Sequence, residues 1–261
     1  MVTIYDWFGY ELPIKERYRL IKEAGFDGVL LWWSNGFGRD ASGHNDYLNG
    51  PMLAREAGLF VQNIHTPVQY QNGLWKDNLD GKDLLECYVQ CISDCAKYEI
   101  PTMVVHLPND NYLYNTVGLD RMKRIAEKAE KLEVNVALEN LRNRTNLSYI
   151  LAQVDSSRIG FCYDCGHHYN YYPEEEFLSK YGSRMMALHL HDIGGEYGQH
   201  QLPFDGPIDW NTVMKNIAEI GYLGAIAIEA MNWDYKDLTA KEFLHEAFVR
   251  AKRLEALNSV S

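Results

Sequence analysis

The chain has 261 residues, enough for a large core, and its 46% hydrophobic and 23% charged residues are those of an ordinary globular protein. Its formal net charge is −11 and Lys and Arg gather on no stretch, which argues against a nucleic-acid-binding surface. Met1–Trp7 carries no basic region ahead of an apolar one, and no apolar run approaches ~18 residues, so a cytoplasmic protein with no membrane span is expected.

A short β-branched run, a polar loop and a helical pattern recur along the chain. Val2–Asp6 reads as a first strand, followed by a helix over Pro13–Ala24 that Gly25 stops. Strands are then predicted at Asp27–Trp33, Leu59–His65, Thr102–His106, Val134–Glu139, Arg158–Asp164, Met185–His191 and Leu223–Glu229. Helices are predicted between them at Tyr47–Ala57, Lys82–Tyr98, Val117–Leu132, Leu147–Gln153, Glu174–Tyr181 and Trp210–Ile220. The last helix, Lys241–Leu257, opens on a capping box formed by Thr239 and Glu242.

Eight strands alternating with eight helices imply a parallel sheet, and eight units in this length imply closure into a single-domain (β/α)8 TIM barrel spanning residues 1–261. A doubly wound open sheet usually carries a Gly-rich phosphate loop after its first strand, and none is present. The longest loops, Ser34–Asp46, Thr66–Asp80 and Asp192–Pro207, all follow strands, as an active face requires.

Six of the apolar runs end in a His, Asp or Glu, namely His65, His106, Glu139, Asp164, His189 and Glu229. In a parallel barrel these ends share one face, so their side chains converge on the mouth. One such His is more often a hydrogen-bonding residue, and one such Glu more often a helix N-terminal charge. Six together point to a site. Carboxylates crowded in this way repel unless a counter-charge joins them, and oxygen ligands with an imidazole suit a divalent Mn, Zn, Co or Mg ion.

Cys87, Cys91 and Cys95 recur every four residues within a predicted helix and read as small core hydrophobes. Cys162 and Cys165 flank Asp164 in a CxxC with no second pair to complete a zinc site. Trp7, Trp32, Trp33, Trp75 and Trp233 lie near strand ends or in the loops after them. Trp33 and Trp75 are the expected aromatic contacts for a sugar face.

From Phe26 onward the chain resembles the sugar-phosphate isomerase/epimerase superfamily of xylose isomerase-like barrels, which also contains endonuclease IV. The resemblance is carried by Ala137-Leu138-Glu139-Asn140, Cys162-Tyr163-Asp164-Cys165-Gly166-His167 and Leu188-His189-Leu190-His191-Asp192. It continues through Gln199–Trp210, Ile220–Gly224 and Ile228-Glu229. It implies one divalent ion held by Glu139, Asp164, His189 and Glu229, with His167 contacting substrate. It also implies that Glu139 removes a proton beside a carbonyl and Glu229 returns one, while the metal stabilises enediolate oxygens.

In the endonuclease branch three zinc ions are bound, and His65, His106, His167 and His200 stand at matching places. Gly198 replaces the aspartate expected two residues before His200. With the acidic net charge this weakens a multi-zinc phosphodiesterase reading and leaves room for a second ion near His65 and His106. As substrate ligands, His65, His106 and His200 would bond sugar hydroxyls. Tagatose-type epimerases carry an arginine after the seventh-strand histidine, whereas this chain has Asp192-Ile193-Gly194-Gly195-Glu196. Inosose-type dehydratases and hydroxypyruvate isomerases share the ligand pattern. A non-catalytic sugar-binding barrel is the remaining alternative. The expected partner is a small carbohydrate, with no nucleic acid and no membrane. Relatives often form homo-oligomers, but no sequence feature fixes the state.

Overall fold

Strands and helices alternate as expected in a computed structural model that describes residues 1–33, 47–194 and 198–258. The predicted loop Ser34–Asp46 lies outside the described residues, as do residues 195–197 of the loop Asp192–Pro207. The strands are β1 (Val2–Tyr5), β2 (Gly28–Trp32), β3 (Phe60–His65), β4 (Thr102–Val105), β5 (Asn135–Glu139), β6 (Ile159–Asp164), β7 (Met185–His189) and β8 (Ile226–Ile228). All pair in parallel, in the order β7-β6-β5-β4-β3-β2-β1-β8. The remaining seam closes just past β7, where Leu190 N–H donates to Ala227 O (2.9 Å) and Glu229 N–H to Leu190 O (3.0 Å). The result is a (β/α)8 barrel.

The helices are α1 (Ile14–Ala24), α2 (Gly50–Glu56), α3 (Leu79–Lys97), α4 (Thr116–Leu132), α5 (Arg144–Gln153), α6 (Cys165–Tyr171), α7 (Phe177–Tyr181), α8 (Trp210–Glu219) and α9 (Ala240–Asn258). Side-chain caps set several starts. Asn78 accepts Gly81 N–H at 3.0 Å, so α3 begins three residues ahead of the predicted Lys82. Asn143 likewise starts α5 at Arg144. Gly25 ends α1 at φ +111°, a left-handed conformation that costs glycine little. The predicted capping box opens α9: Glu242 accepts Thr239 N–H at 2.8 Å and donates its own N–H to Thr239 Oγ1 at 3.3 Å. The predicted last strand is shorter, because Leu223 at its expected start is 94% exposed. None of the described helices is long and apolar enough to cross a membrane.

Alternation along each strand divides the buried residues. Val136, Leu138, Phe161, Tyr163, Leu188, Ile226 and Ile228 join the main core, which includes helix residues such as Ile125, Ile150 and Ile217. Val104, Ala137, Cys162 and Ala187 form a separate buried cluster inside the barrel. Each is followed two positions later, on the same side, by a polar residue: His106, Glu139, Asp164 and His189. Ala227 precedes Glu229 in the same way. Small side chains thus form a floor one pleat below a polar layer at the C-terminal mouth.

Candidate active site

Register brings the polar layer together. Glu139 pairs across the sheet with Cys162, and Asp164 with His189. Glu139 is buried, and its Oε2 lies 3.0 Å from His106 Nε2, 3.1 Å from His189 Nδ1 and 3.4 Å from His65 Nε2. Its Oε1 lies 3.2 Å from His167 Nδ1. Glu229 Oε2 is 3.1 Å from the same His189 Nδ1, so one imidazole nitrogen stands between the two glutamates. Asp164 is fully buried below the cavity surface. Its Oδ1 accepts His167 backbone N–H at 2.7 Å, and its Oδ2 lies 3.5 Å from His167 Nδ1. Asn140 fixes the Asp164 backbone by donating to its carbonyl (2.8 Å) and accepting its N–H (2.6 Å).

The hydrogen atoms can be placed on three of these histidines. His65 Nδ1 is 2.9 Å from Thr66 O, which only accepts, so Nδ1 carries the hydrogen. His106 Nδ1 is 3.2 Å from Gln71 Oε1, and Gln71 Nε2 donates to Leu107 O, which orients that amide. His200 Nδ1 is 3.0 Å from Glu229 O. With its hydrogen on Nδ1, each ring in its neutral form presents a lone pair at Nε2. For His65 and His106 that lone pair faces a carboxylate oxygen, a repulsive contact unless a cation lies between them. Burial outweighs the attraction of Glu139 and holds the His106 pKa below its ordinary value, so a proton does not supply that cation near neutral pH. Histidines that donate one nitrogen to an outer acceptor and aim the other inward are characteristic metal ligands. Moreover His106 Nε2, His189 Nδ1, Glu139 Oε2 and Glu229 Oε2 are all buried without a correctly angled hydrogen bond. The donor set fits a divalent ion.

Ligand atoms approach within 4.8 Å of one another in the sets Glu139–Asp164–His167, Glu139–Cys162–His189, His65–His189–Glu229 and His65–His106–Glu139. The four expected ligands thus gather at one end of the barrel, linked through Glu139 and His189. Cys162 is the less suited of these groups, since burial pushes its thiol up to about 12 and an ion would have to displace that proton. Burial raises the Glu139 carboxyl, but the surrounding imidazoles outweigh it and hold the group well below the usual carboxylate range; near neutral pH it is His189 and His167, both raised, that carry the protons doing so. Burial lowers His167, but Asp164 and Glu139 outweigh it and raise the ring to about 9. Burial, joined by His191, pulls His200 down to about 4.

A cavity of about 480 Å³ opens above this layer. His65, His106, Glu139, His167, His200 and Glu229 line it together with Tyr5, Trp7, Trp32, Val68, Met231, Trp233 and Gly198. Trp33 and Trp75, the expected aromatic contacts, are not among its lining residues. Trp33 is fully buried, donates to Asp94 Oδ2 at 3.1 Å and packs edge-on to Tyr47. Its neighbour Trp32 pairs with His65 in register and so turns to the barrel interior, which sends Trp33 outward. Trp75 is buried against α4, where a Cβ on Gly118 would meet its ring at 2.1 Å.

A family model described as a xylose isomerase-like TIM barrel matches residues 18–247. The chain is 25% identical to the uncharacterized protein y4fM of Sinorhizobium fredii, covering 98% of this chain and 94% of that one. It is 22% identical to the fructoselysine 3-epimerase of Shigella flexneri, covering 84% and 85%. Among solved structures, D-psicose 3-epimerase with D-tagatose from Clostridium cellulolyticum H10 superposes with a TM-score of 0.78 at 18% identity, covering 98% of this chain and 99% of that one. A D-tagatose 3-epimerase-like protein gives 0.76 at 20% identity, covering 99% and 97%. The chain belongs to the family of xylose isomerase-like TIM barrels.

Proposed function

We propose that this protein is a divalent-metal-dependent sugar epimerase or isomerase that moves a proton beside a carbonyl group. The observation that carries the proposal is the pair of buried glutamates, Glu139 and Glu229, each 3.1 Å from His189 Nδ1 and both lining the cavity. Relatives named as sugar 3-epimerases support the same class.

In this reading Glu139, Asp164, His189 and Glu229 hold the ion. A bound divalent ion supplies positive charge that offsets the negative charge developing on the substrate's oxygens. Glu139, held ionised, takes the proton on the carbon next to the carbonyl. Glu229, approaching from a different strand, delivers a proton to the other face of that carbon. Such positioned acid–base groups typically contribute about 10²–10⁴-fold each. His167, protonated near neutral pH, donates a hydrogen bond to a substrate oxygen. His200, with its hydrogen on Nδ1, offers Nε2 to a hydroxyl. Trp7 and Trp32 cover the C–H faces of the sugar.

The lone pairs of His65 and His106, both aimed at Glu139, favour a second ion at that trio. A multi-zinc hydrolase is the reading this would support, and an inosose-type dehydratase would use the same proton abstraction. The test is a screen of free ketoses, inososes, sugar phosphates and a phosphodiester with protein stripped by chelator and then reloaded with Mn²⁺, Co²⁺, Zn²⁺ or Mg²⁺, with metal content measured alongside. Stripping is expected to abolish turnover of a ketose and reloading to restore it. Full activity in excess EDTA contradicts the metal requirement, and phosphodiester cleavage without sugar turnover contradicts the epimerase reading.

A further inference from the structure

His191 lies just past β7, two positions beyond His189, and is buried. Both of its ring nitrogens are engaged. Nδ1 is 3.1 Å from Asp192 O, and Nε2 is 3.2 Å from Asp164 Oδ2. Both partners are acceptors, so each nitrogen donates. Neither keeps a lone pair for an ion, although His191 stands within 4.8 Å of potential ligand atoms on His200 and Glu229.

The ring is held on all sides. It lies on the first turn of α6, where a Cβ at Gly166 would sit 2.1 Å from His191 Cε1. Only glycine admits it there without displacement. Cys165 Sγ donates to the His191 carbonyl at 3.2 Å, and the His200 ring stacks on the His191 ring at 4.1 Å between centroids.

We propose that His191 is a positioning residue that fixes the Asp164 carboxylate for metal binding. This rests on the metal-site reading above. Asp164 Oδ1 is already held by the His167 backbone N–H at 2.7 Å. With His191 on Oδ2, two donors from different elements lock the carboxylate plane. The remaining lone pairs then stay aimed at the Glu139–His167 side. Outer partners of this kind typically set metal affinity by about 10–100-fold.

The experiment measures Co²⁺ and Zn²⁺ affinity by chelator competition, and melting temperature in EDTA, for wild type, His191→Phe, His191→Gln and Gly166→Ala. His191→Phe keeps a ring and removes both donors. It is expected to weaken metal binding about 10–100-fold. His191→Gln keeps a donor that reaches Asp164 and recovers most of that loss. Gly166→Ala pushes the ring off Asp164 and weakens binding in the same direction. If His191→Phe does not fold, His191→Asn takes its place, keeping the bond to Asp192 but falling short of Asp164. Wild-type affinity in the Phe or Asn variant overturns the proposal, as does a lower melting temperature with affinity unchanged. A wild-type protein that binds neither ion overturns the metal-site reading itself.

Discussion

The two glutamates at the mouth share one histidine but sit in different surroundings. Glu139 has imidazole nitrogens of His106, His189, His167 and His65 between 3.0 and 3.4 Å away. Glu229 has His189 at 3.1 Å and His200 only at 3.9 Å. Close to it in sequence, Met231 and Trp233 supply apolar lining to the cavity. Burial raises both carboxyls, and neighbouring imidazoles outweigh it at both: Glu139 is held well below the usual carboxylate range, and Glu229 is lowered as well, by His189 and His200. In the proposed reaction Glu139 is therefore the acceptor, and Glu229 takes up a proton before it delivers one.

The largest expected effect breaks the first half. Glu139→Gln is expected to reduce turnover by about 10²–10⁴-fold, measured as kcat on a sugar that the wild type converts. Retained turnover would remove Glu139 from the acid–base role. Next comes Asp164, the proposed ligand below the cavity. Asp164→Ala is expected to lose metal affinity by at least about 100-fold, while Cys162→Ser leaves it unchanged, because Cys162 lies in the small-residue layer one pleat below the polar one. Equal losses in the two, read by chelator competition, would make Cys162 a ligand.

The aromatic residues sharpen the contrast between cavity and core. Trp32→Ala is expected to raise KM about 2–10-fold with little change in melting temperature. Trp33→Ala is expected to cost about 3–5 kcal/mol of stability, read by denaturant unfolding, with KM unchanged. The reverse pattern would restore Trp33 to the site.

The smallest effect is on pH. In metal-free protein His167 is raised to about 9, against about 6.5 for an unfolded chain. Its contribution is fully present below pH ~6.5 and is lost as pH rises through about 9. The melting temperature in EDTA should therefore fall across that window by on the order of 5 °C, and His167→Asn should make the fall smaller, the remainder coming from His189 and His191, whose rings are also raised. A flat profile in the wild type would contradict a charged His167.

Much of this arrangement was legible from the chain alone. A polar residue ending an apolar run marks a barrel-strand mouth, and parity puts Glu139 over Ala137 and His189 over Ala187 without any coordinates. Other features depended on register and reach. Trp32 and Trp33 are adjacent and chemically alike, and only the pairing of Trp32 with His65 decides which one faces the cavity. Helix α6 is seven residues with a glycine at its second position and no apolar period, so its start lies hidden in the role of Asp164 as its cap. His191 reaches an oxygen 27 residues earlier in the chain, a contact no local pattern encodes.

Proton exchange from D₂O tests the central claim most directly. A converted ketose is incubated with metal-loaded wild type, Glu139→Gln and Glu229→Gln, and deuterium at the carbon beside the carbonyl is followed by NMR. The wild type should incorporate deuterium at that carbon as the sugar is converted. Glu229→Gln should still exchange on the starting face without forming the product, and Glu139→Gln should exchange far more slowly. Conversion by the wild type with no deuterium incorporated at that carbon, or equal exchange in all three proteins, would contradict proton transfer by the two glutamates.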